Sequence, residues 1–155
     1  MVEYKVTPTE FGKRPPFNEP DPIFIQELGE DRFYQLMSDF YDLVVESDIS
    51  NFFPQDEQML EKVKLHNTKF FIEVCGGTKA YSQQMGHVDM VKMHEEFSIP
   101  EKARLEWLGC MREVLEKQDI SDAAKQTFWD YVEVFSKHLV NEKPKPTTYE
   151  DLVKV

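Results

Sequence analysis

Apolar residues recur at three- and four-residue spacing along most of the chain and nowhere alternate over the length of a strand. The strongest run lies between Glu30 and Glu46, where Phe33, Leu36, Met37, Phe40, Tyr41, Val44 and Val45 share one helical face. A second helix is predicted from Glu57 to Cys75, with Leu60, Val63, Asn67, Phe70, Phe71 and Val74 on its face and Gly76-Gly77 as its stop. A third begins at Pro100 and presents Ala103, Trp107, Leu108, Met111, Val114 and Leu115. The fourth, capped by Ser121 or Asp122, presents Phe128, Tyr131, Val132, Phe135 and Leu139. Asp21-Pro22 opens a short helix that Gly29 breaks after Leu28. Between these, Ser47 to Asp56 reads as a corner, and Thr78 to Ser98 as mostly loop with a short helix near Val88 to His94. Pro8, Pro15, Pro16 and Pro20 make the first twenty residues an extended arm, and Pro144 and Pro146 leave the chain loose after Val140. The pattern predicts an all-α protein: an arm over 1–20, one helical domain over 21–142 and a flexible tail over 143–155.

Length and charge narrow the classes. A chain of 155 residues buries one core, and a net charge of −11 argues against nucleic acid and against an anionic membrane surface. There is neither an apolar run of bilayer length nor a signal-peptide pattern, so a cytoplasmic protein is expected. Cys75 and Cys110 fall in apolar helical stretches and read as reduced core residues. The 12 Phe, 6 Tyr and 2 Trp suit a core folded round a large flat apolar ligand, although an aromatic core alone is the commoner cause.

Three positions depart from a plain helical core. Tyr41, Asn67 and Trp107 each put a hydrogen-bond donor on an apolar face, where an unpaired group costs about 1–3 kcal/mol. Taken singly, each is more often satisfied by a carbonyl or a water. Of the four histidines, His87 reads as a loop residue bonding backbone, and His138 as a packing or surface residue. His66 neighbours an apolar stripe and could reach a cofactor's edge, although a solvated position is the plainer reading. His94 closes the short helix after the glycine-broken loop. The sequence holds no facing Glu-x-x-His pairs, HExxH, GxSxG, phosphate loop, GxGxxG or CxxCH. One histidine with aromatic walls is what a haem site asks of a protein.

The order of residues then resembles a known family. Phe40-Tyr41, Phe53-Pro54, Gly76-Gly77 through Tyr81 to Gly86-His87, Met93-His94-Glu-Glu-Phe97-Ser-Ile-Pro100, Trp107-Leu-Gly-Cys110-Met111 and His138-Leu-Val-Asn141 are similar to the group II truncated haemoglobins. The resemblance runs from about Phe24 to Asn141 and includes the separation of His94 from Trp107. It implies a truncated globin-like two-over-two helical sandwich holding haem b non-covalently, with His94 as the iron ligand. Tyr41, Asn67 and Trp107 would line the distal side, with Phe53, Val63, Phe70 and Phe97 along the haem. Tyr81 corresponds to a propionate-bonding residue. Many relatives carry arginine where this chain has Met93, so Lys92 or His66 would take over the second propionate. The implied partners are dioxygen and other diatomic gases. Redox activity towards nitric oxide or peroxide would draw on a separate electron donor protein, since no reductase domain is visible. A dedicated haem enzyme and a haem-free helical interaction module are the competing readings.

Overall fold

The computed structural model describes residues 1–86 and 88–143, so His87 and the tail beyond 143 lie outside the described residues. Among the described residues there are seven α-helices and no strand. They are α1 (Ile23–Leu28), α2 (Glu30–Val44), α3 (Glu57–Val74), α4 (Ala80–Met85), α5 (Met90–Met93), α6 (Glu101–Glu116) and α7 (Asp122–Lys137), with a 3-10 turn at Ser50–Phe52. No described helix is long and apolar enough to cross a membrane.

Local side chains start these helices. Asp56 accepts from the Gln58 amide and Ser121 from the Ala124 amide, each filling part of the donor deficit of a first turn. Asp21 accepts from Ile23 N, so Pro22 itself becomes the cap of α1. At the other end of α3, Gly76 takes φ 92°, and the bonds Gly77 N to Ile72 O and Gly76 N to Glu73 O close a Schellman motif.

Two helix pairs stack to form the sandwich. α2 packs on α3, α6 packs on α7, and α2 crosses onto α6, while α1 bridges α2 and α7. The core they enclose is aromatic. Phe24 stacks on Phe128 at 4.2 Å, and Phe33 and Phe71 meet Phe128 edge-on. Cys75 and Cys110 are buried free thiols, and burial pushes both above their ordinary range, Cys110 to about 11.

Three expectations change. The stretch from Thr78 to Ser98, expected to be mostly loop, contains α4 as well as α5. α4 is too short to show a readable period, and part of its first-turn deficit is met from another helix: Glu73 of α3 accepts from both the amide and the hydroxyl of Ser82. The chain is also not loose directly after Val140, because Asn141 N and Glu142 N both bond Ile99 O. Finally, the stripe predicted for α3 is only in part its buried face, with Phe71 the one member that is buried. Thr68, Phe71 and Ile72 are buried, whereas Leu60, Val63, Asn67, Phe70 and Val74 stay half-buried.

Candidate functional site

The half-buried side of α3 faces a set of partly covered aromatic residues from three other segments. Tyr41, in the middle of α2, is only 2% exposed and accepts a hydrogen bond from Asn67 Nδ2. Phe53, just past the 3-10 turn, meets the Tyr41 ring edge-on at 5.6 Å. Trp107 reaches the same group through Phe40, whose ring lies 5.0 Å from Tyr41 and 5.3 Å from Trp107. Tyr41, Asn67, Phe53 and Trp107 are therefore brought together from α2, α3, the corner and α6.

Within this group Tyr41 and Asn67 form a hydrogen-bonded pair. Because Asn67 donates to the Tyr41 oxygen, the phenolic proton remains available. Burial pushes the Tyr41 phenol up to about 12, against a smaller downward pull from Asn67, so it stays a donor at any ordinary pH. Trp129 gives its indole N–H to Lys5 O, whereas the half-buried Trp107 has no acceptor for its own among the described residues.

His94 stands at the C-cap of α5. Its Nδ1 lies 2.6 Å from Met90 O, four residues back, and its backbone amide also bonds that carbonyl. A carbonyl can only accept, so Nδ1 carries a proton, and in the neutral ring this leaves the lone pair on Nε2. That is how a metal-binding imidazole is oriented from behind. Among the described residues no three His, Cys, Asp or Glu side chains converge to hold an ion by themselves. Among the described residues this segment offers a single imidazole, so a metal held there would have to bring its other donors with it.

The surrounding walls fit such a group. Phe53, Val63, Phe70 and Trp107 pack on the core with one side still uncovered. Phe97 and Met93 are 44% and 48% exposed, a large apolar area for side chains so close to His94. Phe97 lies 6.5 Å from the His94 ring and 6.4 Å from Phe52, which connects the His94 segment to the corner carrying Phe53. Phe70 meets Tyr81 of α4 edge-on at 5.4 Å, and Tyr81 is buried. His66, expected to be solvated, is half-buried, and its Nδ1 is a buried nitrogen with no partner among the described residues. Lys92 and Met93 are exposed on α5, and the structure brings neither into contact with the Tyr41 cluster. Phe52 and Met90 join the site without standing out in the sequence. Met90 has a readable signal all the same, the i, i+4 relation to a histidine behind an Asp89 cap.

Residues 24–141 match the family model described as bacterial-like globin. The chain belongs to the bacterial-like globin family. This globin is 24% identical over 127 residues to the group 2 truncated hemoglobin YjbI of Bacillus subtilis, covering 81% of this chain and 91% of that one. It is 27% identical to the two-on-two hemoglobin-3 of Arabidopsis thaliana, over 77% of this chain and 74% of the relative. Among solved structures it is similar to the hemoglobin of Chloroflexus aurantiacus (27% identity, TM-score 0.71, covering 77% and 98%). The phosphate-bound form of Hell's gate globin IV shares its fold across 96% of both chains, with a TM-score of 0.80 at 24% identity. The resemblance to group II truncated haemoglobins thus holds for the whole helical domain, and the family implies a haem cofactor.

Proposed function

We propose that this globin holds haem b non-covalently through His94 and binds dioxygen and other small diatomic ligands reversibly on the opposite side, beside Tyr41, Asn67 and Trp107. The observation that carries the reading is the Nδ1 contact of His94 with Met90 O, which leaves Nε2 as the free ligand atom. Bound haem supplies an iron centre that takes up diatomic molecules and exchanges electrons.

The chain's own groups set the character of the site. Met90 O holds the Nδ1 proton and so fixes the tautomer of His94. The Tyr41 hydroxyl and the Trp107 indole offer protons to a polarised ligand, and Asn67 holds the Tyr41 oxygen in place. Each such donor bond is worth about 1–3 kcal/mol. Phe53, Val63, Phe70 and Phe97 supply the apolar walls that keep water away. At the polar edge, the unpartnered Nδ1 of His66 and the Tyr81 hydroxyl are the groups we assign to the propionates, with Lys92 beside Met93 as a further cation. A pocket this rich in donors suits tight retention more than rapid delivery. It also suits redox activity towards nitric oxide or peroxide fed by an electron donor protein.

Purified protein titrated with haem tests the assignment. A Soret band that develops stoichiometrically, and that loses its native position in His94→Ala, is the expected outcome. The absence of any Soret band would favour a haem-free helical module. A variant at His94 with unchanged spectrum and haem affinity would overturn the axial assignment. Turnover assays with nitric oxide and with peroxide separate a ligand-binding protein from a dedicated haem enzyme.

A further inference from the structure

The segment that presents His94 has little to hold it. α5 is a single turn, and it takes part in none of the principal helix contacts. A one-turn helix does not stand by itself, because nucleation costs more than its few bonds return. Asp89 secures the front of the turn by accepting from Val91 N and Lys92 N. Behind His94 the chain runs through a turn closed by Phe97 N on His94 O and reaches Pro100, the cap of α6.

That rear half is held by Asn141 and Glu142, in the segment that follows α7. Asn141 Nδ2 donates to His94 O at 3.0 Å, and Asn141 Oδ1 accepts from Ile99 N at 2.7 Å. The amide group thus bridges both ends of the loop 94–99, using the donor nitrogen and the acceptor oxygen that a carboxamide carries side by side. The Asn141 and Glu142 amides add bonds to Ile99 O, and Ser98 Oγ donates to Glu142 at 2.7 Å. Of these contacts, only the Asn141 Nδ2 bond touches His94 itself. It holds the residue whose backbone direction sets where the imidazole points, while Met90 O sets the ring's tautomer.

We propose that Asn141 is a positioning residue for His94: by anchoring the His94 carbonyl to the end of α7, it sets the orientation of the imidazole towards the iron. This rests on the reading of His94 as the haem ligand. It makes the segment that follows α7 part of the side of the site that carries His94. Asn141 is exposed, so replacing it removes no core packing.

The test uses the haem-loaded full chain with Asn141→Asp, Asn141→Ala and Ser98→Ala. Asn141→Asp keeps the acceptor for Ile99 N and sets a charged carboxylate oxygen against His94 O in place of the donor. Asn141→Ala removes both groups without adding charge, and Ser98→Ala loosens the same loop without touching His94. The readouts are the iron–histidine stretching band of the ferrous ligand-free protein and the rate of haem transfer to an apoglobin acceptor. We expect a shifted or broadened band and about threefold faster haem loss in both Asn141 variants, with neither in Ser98→Ala. An unchanged band in folded Asn141→Asp would overturn the proposal, as would equal shifts in Ser98→Ala. If Asn141→Ala fails to fold, Asn141→Asp decides. Should the band survive in His94→Ala, the ligand assignment fails instead, and the two failures are told apart.

Discussion

Tyr41 and Trp107 differ in how their donors are held, and this gives separable expectations. Tyr41 is buried and hydrogen-bonded by Asn67, whereas the Trp107 indole is half-buried, packs on the core and meets the Phe40 ring edge-on. Tyr41→Phe keeps the ring and removes the donor, whereas Trp107→Phe removes the donor together with one ring of the indole. Stopped-flow oxygen dissociation should accelerate about 5–100-fold in Tyr41→Phe and in Trp107→Phe, the range for one lost bond to a polarised ligand. Unchanged rates in both would mean that neither donor reaches the ligand. Tyr41 also sets an alkaline limit. Its phenol ionises near 12 in the folded chain, against about 10 when unfolded. Below pH 10 both states are protonated and the stabilisation is complete. Above it the unfolded chain sheds the proton first, so stability should fall as pH rises from about 10 to 12. Burial raises Tyr131 in the same direction. A calorimetric series over that window checks the slope, with Tyr41→Phe showing the smaller decline. The periodicity of α2 alone shows Tyr41 as a donor on an apolar face. Its pairing with Asn67, across 26 residues, depends on how α2 and α3 pack.

At the scale of elements, the end of α3 meets two physical demands with one sequence signal. The glycine pair predicts a helix stop, and Gly76 supplies it with a left-handed φ of 92°. Gly77 serves packing as well: a Cβ there would lie 2.6 Å from Ile25 Cδ1 and 2.7 Å from Ile72 Cγ2. Gly77→Ala should therefore force α1 away from α3 and lower stability by about 1–3 kcal/mol in chemical denaturation, with an unchanged slope. α4 is not legible in the sequence because the carboxylate that accepts from its first turn belongs to α3, while α5, expected near Val88 to His94, is capped in the structure by the adjacent Asp89. The half-buried stripe on α3 divides in the same way. Its period is readable, but not that full burial falls on Thr68, Phe71 and Ile72 and leaves Val63, Asn67 and Phe70 for the site.

Across the whole molecule, the arm is the largest departure from what its composition implies. It has no helix, as its prolines require, yet it is bound along α6 and α7. Lys5 O accepts from Trp129, Thr7 O from Arg104, and Thr9 donates twice to Glu101 at 2.7 Å. Phe17 meets His138 edge-on at 4.9 Å, and His138 Nε2 lies 2.8 Å from Pro15 O. Arg104, 3% exposed on the apolar face of α6, joins this arm to Glu133 and Ser136 of α7. Deleting residues 1–20 should lower the melting temperature by about 5–15 °C, because it strips acceptors from Arg104 and Trp129 and uncovers aromatic surface. Haem uptake by the truncated chain at low temperature should persist, since among the described residues none of the Tyr41 cluster or the His94 turn bonds the arm. Loss of both together would make the arm part of the site. The sequence by itself determined the long helices and their stops, because periodicity, caps and glycine breaks act over a few neighbouring residues. His94 stood out among four histidines only through the resemblance to the family. Only the tertiary structure decided which apolar face stays open, which donors meet, and which distant residue steadies His94. Those depend on surfaces from separate helices coming within hydrogen-bonding and packing distance, which no local pattern encodes.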